Sequence, residues 1–266
     1  MRNWCILLPS TFTADEKNRL LRTYKIGLVA RYVSIFGVPR IIIYYDEDPK
    51  FETHGLGKFI SKILSYCNCP PWLRKLAFGL SEDLKYVGHI EPLRTIHHER
   101  EILNDHTWAV INSVKKGYVE VTYRKNKRFR KTKCKIIRKH RERDVILINL
   151  RQKIEVLPYE LDFFFGYDVR YINRPLHEVL DLMDAEGYRI IGLSRYGKRI
   201  REIQVNVEDK LALVFGGPFR GILNILSEDY YPEVIVNLIN NQNTKTIRTE
   251  EAVLMALTLF NHLVER

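Results

Sequence analysis

Arg40-Ile-Ile-Ile-Tyr-Tyr45 is a continuous apolar, β-branched run, the pattern of a strand covered on both faces. Just before it, Gly37-Val-Pro39 ends whatever structure precedes. Upstream of that stop, Leu20, Leu21, Tyr24, Leu28, Val29, Tyr32 and Phe36 fall on helical spacing, which predicts a helix over about residues 15–36. Earlier still, Trp4-Cys-Ile-Leu-Leu-Pro9 reads as a second buried strand, and Ser10-Thr-Phe-Thr-Ala-Asp15 as a loop placed to cap the helix. Strand, helix and strand in this order predict an α/β fold with parallel pairing.

Downstream, a mixed helical stretch covers residues 55–77, and the texture then changes near His97. Short alternating strands are expected at 108–112, 118–123, 134–138 and 145–148, with turns at Lys116-Gly117 and Lys125-Asn126-Lys127. Close spacing of short strands predicts a small antiparallel barrel of OB type. After Phe165 the α/β texture returns. A helix over 175–186 stops at Gly187, strands are expected at 189–193, 200–205, 211–215 and 233–238, and a last helix at 250–262. Thr249 is a candidate N-cap, with Glu250 and Glu251 at the positive end of that helix. The layout is an α/β body in two parts, residues 1–96 and 161–266, interrupted by a β-rich insert over 97–160.

The chain carries a formal charge of +11, and the charge is concentrated. Between Ser113 and Arg143 stand 14 Lys or Arg against 2 Glu, an excess of +12 that leaves the rest of the chain near −1. A basic block on a near-neutral body is a grip for a polyanion. It lacks the long amphipathic pattern of a membrane-surface helix. Arg124, Lys125, Lys127, Arg128, Arg130, Lys131 and Lys133 are its densest part and are candidates for RNA binding, with Tyr118, Tyr123 and Phe129 either stacking on bases or filling the barrel. No stretch approaches a membrane span, the N-terminal apolar run is too short for a secretory leader, and Cys67 and Cys69 are too close for an ordinary disulfide. A reducing, cytoplasmic compartment is expected.

Some motifs lead elsewhere. Gly192-Leu-Ser-Arg-Tyr-Gly197-Lys198-Arg199 nearly spells a P-loop, but Arg199 stands where Ser or Thr must hold magnesium. Gly216-Gly217-Pro218-Phe219-Arg220-Gly221 follows a strand and is expected to open a helix, with Pro218 in its first turn. Pro218 stands where a dinucleotide fingerprint has its middle glycine. His97-His98 with Cys67 and Cys69 lacks the spacing of a zinc site, so no metal is expected. No nucleophile elbow or Ser/His/Asp order points to a hydrolase.

Three segments together, Ile191–Gly197, Val214–Gly221 and above all Asn237-Leu-Ile-Asn-Asn-Gln-Asn-Thr-Lys-Thr-Ile-Arg-Thr-Glu-Glu-Ala252, resemble the SPOUT class of methyltransferases. They are similar in particular to its RNA methyltransferase subfamily with an internal OB-like insert. Tyr24-Lys-Ile-Gly-Leu-Val-Ala-Arg31, Pro70-Pro-Trp-Leu-Arg-Lys75 and Leu93-Arg-Thr-Ile-His-His98 are similar to it as well, so the likeness spans nearly the whole chain.

The resemblance implies a trefoil-knotted, mostly parallel sheet with helices on both faces. It also implies S-adenosyl-L-methionine held by three loops, an RNA substrate, and a homodimer that shares its active sites. By position, Leu193 and Ser194 belong to the first loop, Gly216, Gly217 and Gly221 to the second, and Ile239, Asn243, Thr244 and Ile247 to the third. Arg31 matches an arginine that the class places near the methyl acceptor, and Glu250 is a candidate proton acceptor, with helix capping as its alternative role. Asn241 and Asn243 stand where the class usually has glycine; Asn is the side chain that best tolerates a left-handed backbone. An RNA-binding or assembly factor with weak or absent catalysis remains the rival function.

Overall fold

The computed structural model describes residues 3–47, 54–226, 232 and 234–264. Among them, six strands form one sheet, all pairs parallel, in the order β11 (Val234–Asn237), β9 (Arg189–Arg199), β10 (Leu211–Val214), β1 (Trp4–Pro9), β2 (Arg40–Tyr44) and β8 (Asp168–Ile172). Glu233, the first residue of the expected 233–238 strand, lies outside the described residues.

Strand alternation divides the core between two faces. Trp4, Ile6, Leu8, Ile41, Ile43, Leu211 and Leu213 point to one side, where α1 (Arg19–Ile35), α2 (His54–Asn68) and α7 (Thr249–Val264) cover them. Cys5, Leu7, Ile42, Tyr44, Ala212 and Val214 point to the other, beneath α5 (Leu176–Ala185) and α6 (Ile222–Ile225). Each such side chain contributes roughly 1.5–3 kcal/mol on full burial, so the uninterrupted apolar runs of β1, β2 and β10 need both layers. Two further short helices, α3 (Arg74–Ala77) and α4 (Ile96–Glu99), lead into the insert.

Helix α1 begins at Arg19, four residues later than the periodicity suggests, because Asn18 rather than the 10–15 loop caps it, accepting the Leu20 N–H at 2.8 Å. It ends at Gly37, whose φ of +64° suits glycine. α5 ends in the same way, at Gly187 with φ +77°.

The insert is a closed barrel in the order β3 (His106–Lys115), β4 (Tyr118–Lys125), β5 (Arg128–Lys135), β7 (Ile154–Glu155) and β6 (Val145–Asn149). β5 differs from expectation: it starts at Arg128, not 134, and ends at Lys135. Asn126 and Lys127 both have positive φ, the two-residue turn that joins twisted strands directly, so the basic run itself is strand. The expected strand at 200–205 is instead a 3₁₀ turn (Ile200–Glu202). β9 takes its place by running on to Arg199 and pairing Lys198 and Arg199 with β11.

Barrel and body meet over Cys69, Leu73, Trp108, Val110, Leu147 and Phe165. Trp108 donates to the Phe165 carbonyl at 2.8 Å, and Asn68 exchanges hydrogen bonds with the Tyr167 backbone at 2.9 and 3.0 Å. His97 and His98 both donate Nε2–H to the Asn68 carbonyl, and burial drives both imidazoles toward the neutral form. They therefore serve this junction. Among the described residues, no cluster of three or more metal-ligating side chains occurs.

Candidate active site

β9, β10 and β11 are neighbours with parallel direction, so the segments at their C-terminal ends converge. They enclose a cavity of about 310 Å³. The first wall is a bulge. Ile235 pairs with Gly192 and Val236 with Lys198, which leaves residues 193–197 out of the ladder. Leu193, Ser194, Arg195 and Tyr196 line the cavity from it. This geometry also accounts for the near P-loop: Gly192 and Gly197 are strand glycines, and a Cβ on Gly197 would lie 2.6 Å from the Ile235 backbone.

The second wall is the 215–224 segment. A Cβ on Gly216 would sit 2.6 Å from the Ile222 nitrogen, and one on Gly217 2.6 Å from the Thr11 hydroxyl. Both positions exclude side chains by close approach. Gly221 lines the cavity too, but nothing stands within 4 Å of where its Cβ would be. The helix after this segment begins at Ile222 with Gly221 as N-cap, so Pro218 lies in the loop and not in a first helical turn. Arg220 fastens the loop from outside, donating to buried Asp46 at 2.9 Å.

The third wall comes from residues 236–252. Ile247 lines the cavity as expected, but Ile239, Asn243 and Thr244 do not; Leu238, Gln242, Lys245 and Thr246 do. Asn241 takes φ +55° and Asn237 Oδ1 accepts the Ile239 N–H at 3.1 Å; together they turn the chain and shift the inward positions. Asn241 thus occupies the left-handed region expected of it, whereas Asn243 is not among the positive-φ residues. Thr249 does not act as a side-chain N-cap: its hydroxyl donates to the Gly216 carbonyl at 3.0 Å and joins the third wall to the second. The Glu251 carboxylate closes the helix start instead, accepting the Arg248 N–H at 2.9 Å.

The residues present fit S-adenosylmethionine. Leu193, Phe215, Leu238, Ile247 and Ala252 offer apolar surface for a purine, and the cavity has the size of a small-cofactor site. Arg195 and Lys245, which the sequence reading missed, bring cations suited to a carboxylate; Arg195 also donates to the Lys245 carbonyl at 2.8 Å. Their signal was position alone: Arg195 lies within the first recognised segment and Lys245 within the third.

Glu250 is absent from the cavity lining. It is buried and faces Lys25 at 3.5 Å, and that ammonium also contacts Asp15 at 2.6 Å and Glu16 at 2.9 Å. Burial raises the Glu250 pKa and Lys25 opposes the rise. The structure corrects its expected role: Glu250 belongs to a buried ion cluster joining α1 to α7. Arg31 does not line the cavity of its own chain either, and it donates to the Pro92 carbonyl at 3.2 Å. It sits on a stripe of α1 with Leu21, Tyr24, Leu28 and Ile35, whose exposed members Leu21, Tyr24 and Ile35 are 44%, 46% and 60% accessible.

On the barrel, Lys125, Lys127, Arg128, Arg130, Lys131 and Lys133 are exposed. Phe129, Lys131 and Lys133 alternate onto one face of β5, with Phe129 53% accessible. Arg124 is held otherwise, against Glu101 at 3.0 Å and over the Trp72 ring at 5.2 Å. Tyr123 packs on the barrel core, and the Lys133 ammonium lies over Tyr118 at 5.2 Å. Of the three aromatics, Phe129 alone presents a largely open ring.

Known proteins resemble the chain along nearly its whole length. The family described as "Putative RNA methyltransferase" matches residues 3–260. A 28S rRNA (uridine-N(3))-methyltransferase of Drosophila melanogaster is 28% identical over 95% of this chain and 60% of its own length. An uncharacterized protein of Halobacterium salinarum is 27% identical over 95% of this chain and 96% of its own. Among solved structures, a TrmH/SpoU tRNA modifying enzyme of A. aeolicus aligns over 99% of this chain and 76% of its own at 9% identity, with a TM-score of 0.44. The chain spans about 60% of the length of the fly protein. It belongs to this RNA methyltransferase family, the SPOUT-class family that its C-terminal segments resemble.

Proposed function

We propose that the chain transfers a methyl group from S-adenosyl-L-methionine to N3 of a uridine in ribosomal RNA. The observation that carries this is the cavity enclosed by the bulge after Gly192, the Gly216–Gly217 loop and the 236–252 segment. The nucleotide and atom rest on the likeness to the fly relative. The cofactor supplies an activated methyl carbon when bound, so the protein's work is position and electrostatics. The walls would hold the purine and the carboxylate end; the weakly acidic N3 proton leaves to solvent water as N3 takes the methyl, and Arg31 steadies the uridine face on which negative charge builds, its guanidinium staying protonated and accepting no proton. Titration of the protein with S-adenosylmethionine in a calorimeter tests the reading: saturable one-site binding is expected, and no heat of binding contradicts it.

In this reading the chain is a homodimer. The partly open stripe on α1 supports that, because Arg31 lies in its middle and away from its own cavity. The partner's Arg31 completes each site. Leu21→Glu with Tyr24→Glu should halve the mass seen by light scattering and abolish transfer. Arg31→Ala should stay dimeric, bind cofactor normally and transfer nothing; normal turnover would remove Arg31 from the mechanism.

The trefoil knot, the OB character of the barrel and a reducing, cytoplasmic location belong to the same proposal. Thr249 and Ile247 lying against the Gly216 loop support the knot, the single parallel pair β5–β7 in a closed five-stranded barrel supports the OB reading, and four buried free cysteines support the compartment. RNA lies along the exposed face of β5. Lys131→Glu with Lys133→Glu should weaken RNA binding and flatten its salt dependence by about 0.7 for each single-strand phosphate no longer neutralised. An unchanged slope moves the RNA elsewhere.

A further inference from the structure

The basic run does not end with β5. It continues into the 136–144 loop, which enters a second cavity of about 550 Å³ between the barrel and the α2–β8 edge of the body. This cavity is separate from the cofactor site and shares no lining residue with it. Five Lys or Arg line it against two acids, Asp144 and Asp168.

Both acids are already satisfied. Asp168 receives Arg138 at 3.0 and 2.7 Å and Arg170 at 3.0 Å. Asp144 accepts the Arg141 N–H at 2.8 Å and faces His140 at 3.4 Å. Lys62 is engaged with Ser81 and Asp83. That leaves Lys139 and Arg143, whose side chains have no carboxylate partner among the described residues. In the same cavity, Ser61 and Ser65 stand one turn apart on α2, with hydroxyls that make no hydrogen bond among the described residues. Phe78 adds a half-buried aromatic ring.

Spare cations and spare hydroxyl donors suit a phosphate, while an aromatic ring in the same cavity suits a base. Their combination favours a nucleotide over an acidic peptide. We propose that this crevice is a second RNA site that takes one unpaired nucleotide, with Lys139 and Arg143 neutralising its phosphate, Ser61 and Ser65 donating to it, and Phe78 against its base. The site rests on the RNA reading above and holds the substrate where the barrel meets the methyltransferase body.

The test is fluorescence anisotropy with a labelled oligouridylate, run across a salt series, beside calorimetry with S-adenosylmethionine. Lys139→Glu with Arg143→Glu should weaken oligonucleotide binding by about tenfold or more and flatten the salt slope by about 0.7 for each phosphate left without its cation. Two neutral variants, Ser61→Ala with Ser65→Ala and Phe78→Ala, should each weaken binding several-fold without changing charge. Wild-type affinity in both neutral variants, or an unchanged slope in the charge variant, overturns the proposal. Photocrosslinking of the unmodified protein to a 4-thiouridine oligonucleotide gives a reading that needs no variant. Crosslinks at Phe78 or the 136–144 loop are expected; crosslinks confined to the β4–β5 hairpin contradict it. If the wild type binds no S-adenosylmethionine, the methyl-transfer reading fails while this one stands on the oligonucleotide data alone.

Discussion

Arg138→Met is expected to lower the unfolding free energy by about 3–5 kcal/mol, the cost of leaving buried charge unpaired. Arg138 is the rivet between the barrel and the body. Its Nε donates to Glu155 at 2.9 Å and its two terminal nitrogens to Asp168 at 3.0 and 2.7 Å. Glu155 is a barrel residue, Asp168 begins the outermost described strand of the large sheet, and both carboxylates are buried. Burial alone favours protonated carboxyls, but the Arg138 fork outweighs it at Asp168, and His140 with Arg138 outweighs it at Glu155, so both are held below their usual range. Removing the guanidinium strands Asp168 with Arg170 and Glu155 with His140. Lysine cannot replace the planar two-sided donor, so Arg138→Lys should recover only part of the loss. Urea unfolding measures it; a change under about 1 kcal/mol, the size of an exposed pair, contradicts the role.

Gly216→Ala is expected to weaken S-adenosylmethionine binding by about tenfold or more, equivalent to about 1.4 kcal/mol. The added Cβ would lie 2.6 Å from the Ile222 nitrogen and 2.9 Å from the Gly221 carbonyl carbon. Both are backbone atoms, and relieving the clash means opening the loop that forms the second wall. Gly88→Ala, outside the cavity lining, is the control, because its Cβ meets nothing within 4 Å and its φ is not positive. It should bind cofactor as the wild type does. Equal losses in the two variants, or none in either, would show that loop closure at Gly216 is not what forms the site.

The α/β body was legible because its strands are uninterrupted apolar runs; β2 reads as buried from Ile41-Ile-Ile43 alone. β5 was harder. Cys134 is its one fully buried residue, so a strand of alternating Lys and Arg carries almost no hydrophobic period. The strand expected at 200–205 failed for the opposite reason. Ile200 and Ile203 look strand-like, yet polar residues 198–199 hold the ladder because Gly197 lets β11 approach closely. In the site, the glycine loop was readable from Gly216 and Gly217. Of the inward positions of the third wall only Ile247 was, since the others depend on the left-handed Asn241 and the Asn237 contact that turn the chain. The Arg138–Asp168 pair spans 30 residues and two structural units, and no local pattern announces it.

We propose that this chain writes one methyl mark on ribosomal RNA. The most direct test is mass spectrometry of nucleosides from the ribosomal RNA of cells lacking the protein. Loss of a single 3-methyluridine is predicted, restored by the wild-type chain and not by Arg31→Ala. An unchanged set of methylated nucleosides in the deleted cells would contradict it.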